Sequence, residues 1–223
     1  MCFSATASFA AGIALSTVGV ITLKKSEAAS QLMFAGIPLV FGLQQLTEGV
    51  VWMALNNPEY AHLKTVSVYT FMTFAQIIWP SWVPISILLL EKRPARKNLL
   101  YLFSAIGLIV SIYLGYCLAT YPVDAHVREH HIFYNLKYPM GLISKGVALY
   151  LLAIIFTPFL SSIKKMWVVG LVTLISFVAA KLIFSNFVIS VWCMFAALIS
   201  VVVWYMMPHL NEHYRLHKLK ISF

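Results

Sequence analysis

Charge is scarce in this chain: Asp, Glu, Lys and Arg make up 10% of its 223 residues, and only seven of those residues are acidic. Soluble domains carry about a quarter charged residues to cover their surface, so a water-exposed globule is excluded. Cysteine is scarce too. Three of them, Cys2, Cys117 and Cys193, exclude a disulfide framework or a paired-cysteine metal module. Buried inert thiols are their default reading; pairing of Cys2 with Cys117 or Cys193, and Cys2 as a nucleophile or soft ligand, stay open. The opening MCFSATASFAAGIALSTVGVITLKK has no positive residue ahead of its apolar stretch and no lipobox before Cys2, which argues against a cleaved signal or a lipoprotein anchor. There is no HExxH, no low-complexity tract, no internal repeat and no stretch polar enough for a soluble domain.

What fills the chain instead is apolar sequence, 61% hydrophobic residues with a mean hydropathy of +0.85. It divides into runs near 3–23, 30–55, 66–90, 98–120, 138–160, 166–184 and 186–207. Each approaches the roughly 20 residues that cross a bilayer as a helix, and lipid leaves backbone groups no partner except their own helix. The expected fold is therefore an all-α integral membrane bundle of about seven transmembrane helices. The sixth and seventh are joined so briefly, around Ser185 and Asn186, that they must form a tight antiparallel hairpin.

The positive residues set the orientation. Lys24, Lys25, Lys92, Arg93, Arg96, Lys97, Lys164, Lys165, Arg215, Lys218 and Lys220 fall on alternate connections or the C-terminus, and the opposite connections hold only Lys64, Arg128 and Lys137. The positive-inside rule then puts the N-terminus outside and the C-terminus inside. Residues 1–207 form the membrane domain, and 208–223 a short basic, histidine-containing cytoplasmic tail. The net charge of +9 follows from this asymmetry, so the expected partner is the lipid bilayer with its anionic headgroups and not nucleic acid. A bacterial cytoplasmic membrane is the expected location. The longest external connection, Tyr121 to Lys137, has the size of a lid.

Within this frame Glu48 stands out. A carboxylate facing lipid at mid-membrane costs roughly 3 kcal/mol or more, so it must face protein or a wet cavity. Phe41, Gln44, Gln45, Glu48 and Trp52 share one helical face, and Lys145 lies about two turns into the fifth span from the same side, where Ser4 and Cys2 also begin the first. Two readings follow. One is an outward-facing polar cavity lined by these residues that binds a small polar or cationic ligand, or a proton. The other is a Glu48–Lys145 pair with bridging glutamines that holds helices in register.

The histidines carry weaker signals. In AHVREHH a helical turn would place His126 and His130 at metal-ligand spacing, with His131 beside them and a further ligand from Asp124, Glu129 or Glu48; surface histidines at headgroup level are the alternative. His209, His213 and His217 repeat every four residues after Pro208, as in an amphipathic basic segment at the inner headgroups. Prolines in WPSWVP (Trp79 to Pro84) and at Pro38 are expected to break the third and second helices and to free carbonyls at mid-membrane.

MCFSATASF at the start, PLVFGLQQLTEGVVW at Pro38 to Trp52, and WPSWVP followed by Glu91 and basic residues resemble a bacterial multipass membrane family of unknown function, whose members begin MCFSA-x-ASF and carry Q-Q-x-x-E-G-x-x-W in the second helix. The resemblance extends over most of the chain and implies seven membrane helices without supplying an activity. It draws attention to Cys2, Ser4, Gln44, Gln45, Glu48 and Trp52. Two better-known seven-helix classes fit poorly. The last span has no Schiff-base lysine for a retinal protein, and the second and third spans supply no histidine or aspartate for a ceramidase-like zinc hydrolase, although His209 and His213 mimic part of that pattern. The sequence thus leads to a sensor or small transporter binding its ligand around Glu48, with a membrane-embedded, metal-dependent enzyme acting on a lipid or lipid-linked substrate as the alternative.

Overall fold

The computed structural model describes residues 4–221; of residues 140–145, 193, 194, 196, 213 and 216–221 it describes the backbone alone. The seven apolar runs appear as seven helical rods among these residues. They are α1 (Ala5–Lys24), α2 (Ala29–Asn56), α3 (Pro58–Leu90), α4 (Pro94–Thr120), α5 (140–160), α6 (Met166–Ile183) and α7 (188–221). Six of them are long and apolar enough to cross a membrane; in the fifth, the residues whose side chains are described form an apolar helical stretch at Gly146–Leu160. Their antiparallel order gathers Lys25, Lys92, Lys165 and Arg215 at one end, the basic end.

The expectation of an all-α fold needs one correction. The segment after α4 is a β-hairpin, β1 (Val123–Arg128) paired antiparallel with β2 (His131–Leu136), with Arg128 opposite His131. Its sequence alternates, and one face (Ala125, Ile132, Tyr134) is buried against Val51, Trp52, Val68, Phe71 and Leu118 at the ends of α2, α3 and α4. Glu129 and His130 form the turn with φ of 50° and 62°, the left-handed pair that a two-residue hairpin turn requires. The hairpin closes the end of the bundle opposite the basic end.

Prolines shape the interior rods as the sequence suggests. α2 breaks at Gly36, one residue before Ile37–Asn56 restarts with Pro38 in its first turn, and Trp82 Nε1 donates to Met33 O at 2.9 Å across the break. In α3 a widened π-helical turn, Thr73–Ile78, precedes Pro80; in α5 another, Leu152–Phe156, precedes Pro158. A proline offers no N–H to the carbonyl four residues back, and the wider turn absorbs that mismatch.

Close approach does the rest. A Cβ on Gly107 would stand 1.9 Å from Pro80 O, so α4 rides directly on the carbonyl that Pro84 leaves without its helical donor. Gly12 and Gly19 of α1 meet Gly42 and Leu39 of α2 in the same manner, the small-residue packing of membrane helices. At the basic end Glu91 clamps two connections. It accepts the backbone N–H of Lys92 and Arg93 at 2.9 Å, and reaches across to Ser162 N at 2.7 Å and to the hydroxyls of Ser161 and Ser162. α7 continues through Pro208 without a break, so 208–221 extends the last rod, where Asn211 Nδ2 donates to Lys25 O and Arg215 pairs with Glu27.

Candidate functional site

Glu48 is fully buried, and so are its helical neighbours Gln44, Gln45 and Trp52. Its carboxylate accepts Gln45 Nε2 at 3.0 Å from the preceding turn and Ser190 Oγ at 2.6 Å from α7. One turn further toward the basic end, Gln44 Oε1 accepts Trp79 Nε1 of α3 at 2.6 Å, and the Trp79 ring stacks on Phe41 at 3.9 Å. The predicted stripe is therefore real, but it faces two ways: Phe41 and Gln44 toward α3, Glu48 toward α7. Two buried atoms of the group, Gln45 Oε1 and Trp52 Nε1, have no hydrogen-bond partner among the described residues.

Beside this cluster lies a cavity of about 230 Å³ bounded by α2 to α7 and the end of the hairpin. It runs along the bundle axis from Leu136 and Tyr138 to Phe34, Ile87 and Ile199. Gln44 lines it and Glu48 does not. Of the residues expected to line a polar cavity, Gln44 alone among the described side chains lines this one, and its walls are overwhelmingly aliphatic and aromatic. The polar groups form a short girdle partway along. Tyr138 OH donates to Gln76 Oε1 at 2.8 Å and Tyr150 OH donates to Ala75 O at 2.7 Å; outside the lining, Ser111 Oγ donates to Ile77 O at 2.7 Å. Those carbonyls belong to the π turn of α3, so the proline-driven distortion supplies the girdle's acceptors. The buried Tyr113 hydroxyl has no oxygen or nitrogen partner among the described residues. The thiol of Cys117, itself buried, is the neighbour of Tyr113.

The other predicted residues fall elsewhere. Ser4 is exposed and caps α1, its Oγ accepting Ala7 N at 3.2 Å. Cys2 lies outside the described residues, as do the side chains of Lys145 and Cys193 and those of His213 and His217. The helical spacing read into AHVREHH does not apply, because the segment is a hairpin: His126 is exposed on β1, and His130 is exposed in the turn. His131 is buried, stacked on Phe187 at 4.8 Å and beside Phe184 at 5.1 Å. It pins the hairpin to the α6–α7 connection. Among the described residues no group of three or more His, Cys, Asp or Glu side chains stands close enough to hold a metal ion. His209 sits at the basic end with Lys165 Nζ 2.9 Å from its Nε2. Gln76, Tyr113, Tyr138 and Tyr150 were not singled out by the sequence; their one legible signal is polar atoms in apolar runs beside WPSWVP and the hairpin.

Fold and site together define a helical protein with six helices long and apolar enough to cross a membrane and an apolar cavity inside its bundle. The chain belongs to a family of unknown function, DUF6629, whose family model matches residues 1–215, nearly its whole length. No curated protein and no solved structure matches it.

Proposed function

We propose that this protein is a seven-span membrane protein, N-terminus outside and C-terminus inside a bacterial cytoplasmic membrane, that binds an apolar or amphiphilic molecule within its bundle as a sensor or transporter. The observation that carries the reading is the cavity itself: aliphatic and aromatic walls, with a hydrogen-bonding girdle at Gln44, Gln76 and Tyr138 partway along. Ligand sites commonly combine apolar walls with a few placed polar groups. An apolar cavity of roughly 150 Å³ takes up benzene, so 230 Å³ admits a somewhat larger apolar group. This replaces the small polar ligand expected from Glu48 alone. Glu48 serves as the buried acceptor that fixes α2 against α7 behind the cavity wall, and Trp52 with the hairpin covers the outside end.

The test is mass spectrometry of the detergent-purified protein under non-denaturing conditions, beside a Thr173→Phe variant that fills the cavity from α6. A bound organic molecule retained by the parent and lost in the variant, at an unchanged or higher melting temperature, supports the reading. If the parent carries nothing and takes up no small aromatic probe such as indole, the reading fails.

A further inference from the structure

We infer that the basic end carries a second site, a cleft between the α1–α2 connection and the far part of α7 that holds the phosphoethanolamine headgroup of a membrane lipid; the inference rests on the membrane placement proposed above and not on the cavity. The cleft has an open volume of about 710 Å³, with residues 24–27 on one side and Asn211, Glu212 and Arg215 on the other. Arg215 and Glu27 pair with each other across it. The other charges are unmatched: Lys24, Lys25 and Glu212 form no ion pair among the described residues. Asn211 Nδ2 donates to Lys25 O at 2.9 Å, which fixes the amide and turns its Oδ1 away from that contact. Asn211 Oδ1 and Ser26 Oγ are both buried, and neither has a hydrogen-bond partner among the described residues. Buried polar atoms are satisfied almost everywhere in proteins, so Oδ1 calls for a donor brought into the cleft.

The groups present select the headgroup. The successive ammonium groups of Lys24 and Lys25 attract a phosphate, which lysine binds as a point charge. The Glu212 carboxylate, beside the orphaned Asn211 Oδ1, asks for a cation that also donates hydrogen bonds, and a primary ammonium does both. A phosphate and a primary ammonium joined by a short chain are phosphoethanolamine. Choline has the charge without an N–H, and glycerol has hydroxyls without the charge. Trp204 points to a lipid as the source. Its ring is 43% exposed on α7, and Lys25 Nζ lies 4.4 Å from the ring centroid. Tryptophan favours the headgroup level of a bilayer, so this pair sets the cleft at the depth of the lipid phosphates.

The experiment uses the full chain in detergent micelles with equal amounts of phosphatidylethanolamine, phosphatidylcholine and phosphatidylglycerol of the same acyl chains. Native mass spectrometry counts the lipids retained, with O-phosphoethanolamine titrated in as a soluble competitor. Phosphatidylethanolamine is expected to be retained over the other two by about threefold, the size of one exposed ion pair. Glu212→Gln is expected to remove the preference over phosphatidylglycerol, and the double variant K24Q/K25Q to lower retention of all three; these side chains are exposed, so the variants are expected to melt like the parent. Equal retention of the three lipids overturns the inference, as does an unchanged preference in Glu212→Gln or unchanged retention in K24Q/K25Q. Displacement of the lipid by micromolar O-phosphoethanolamine overturns the lipid source and leaves a soluble compound of the same chemistry. Failure of the chain to float with vesicles on a density gradient would remove the membrane placement itself, and the inference with it.

Discussion

Two buried carboxylates do different work in this molecule. Glu48 gives Gln45 and Ser190 an acceptor inside the bundle, so the residue that replaces it must also accept hydrogen bonds. Glu48→Leu removes the acceptor from the buried Gln45 amide, at about 1–3 kcal/mol, whereas Glu48→Gln keeps a carbonyl for Gln45. The leucine variant is expected to melt well below the glutamine variant in the same detergent; equal melting temperatures would remove Glu48 from this role. Glu91 sits at the end of α3. Burial raises its pKa, but the Ser162 hydroxyl and N–H with the N–H groups of Arg93 and Lys92 outweigh that and hold it below the ordinary value of 4.5. A group whose pKa is depressed by folding contributes stability that is complete above its unfolded value and is lost as pH falls through the folded one. Stability is therefore expected to decline below about pH 4.5, and thermal unfolding against pH should show Glu91→Gln flattening that decline. A decline of the same depth in the variant would assign it to other carboxylates.

Among the elements, α3 carries the most consequence for its length. Pro80 and Pro84 remove two helical donors, the π turn before them presents carbonyls sideways, and α4 and α5 bring Ser111 and Tyr150 to those carbonyls. Gly107 is the condition for this, since any side chain there collides with Pro80 O. Gly107→Ala forces α3 and α4 apart and is expected to cost about 3 kcal/mol or more, toward the upper end of overpacking effects because the obstacle is backbone. A thermal melt that matched the parent would refute the contact. The hairpin offers the opposite test. Glu129 and His130 adopt left-handed φ values that Asn-Gly adopts with less strain. The double variant E129N/H130G is expected to stabilise the hairpin by about 1 kcal/mol, seen as slower amide exchange along β1 and β2. Faster exchange would show that the native pair is favoured by contacts and not merely tolerated.

At the scale of the whole molecule, the proposed topology sets the basic end inside and the hairpin end outside. With the C-terminus inside, a cysteine placed at Glu129 should react with a membrane-impermeant maleimide in intact cells, and one at Lys97 only after the cells are opened. The reverse pattern would invert the topology. Six helices are long and apolar enough to span, and α5, with its π turn, lines the cavity together with α4.

Local composition decided most of the architecture. Seven apolar runs became seven rods, although the third begins eight residues earlier than expected and the last runs on to 221; the link near Ser185 is as tight as its length demanded, and Pro38, Pro80 and Pro84 shape α2 and α3, because an apolar segment forms its helix from its own residues. The burial of Gln44, Gln45, Glu48 and Trp52 was legible for the same reason: polar atoms on one face of an apolar helix have nowhere else to go. Tertiary structure alone decided what those atoms meet. Strand pairing in residues 123–136 is stabilised by packing on α2, α3 and α4, which no window of sequence contains, so the histidine spacing there pointed to a helical turn. Likewise the cavity is space left between six helices, and Gln76, Tyr113, Tyr138 and Tyr150 share it only because three rods and a hairpin converge from distant parts of the chain.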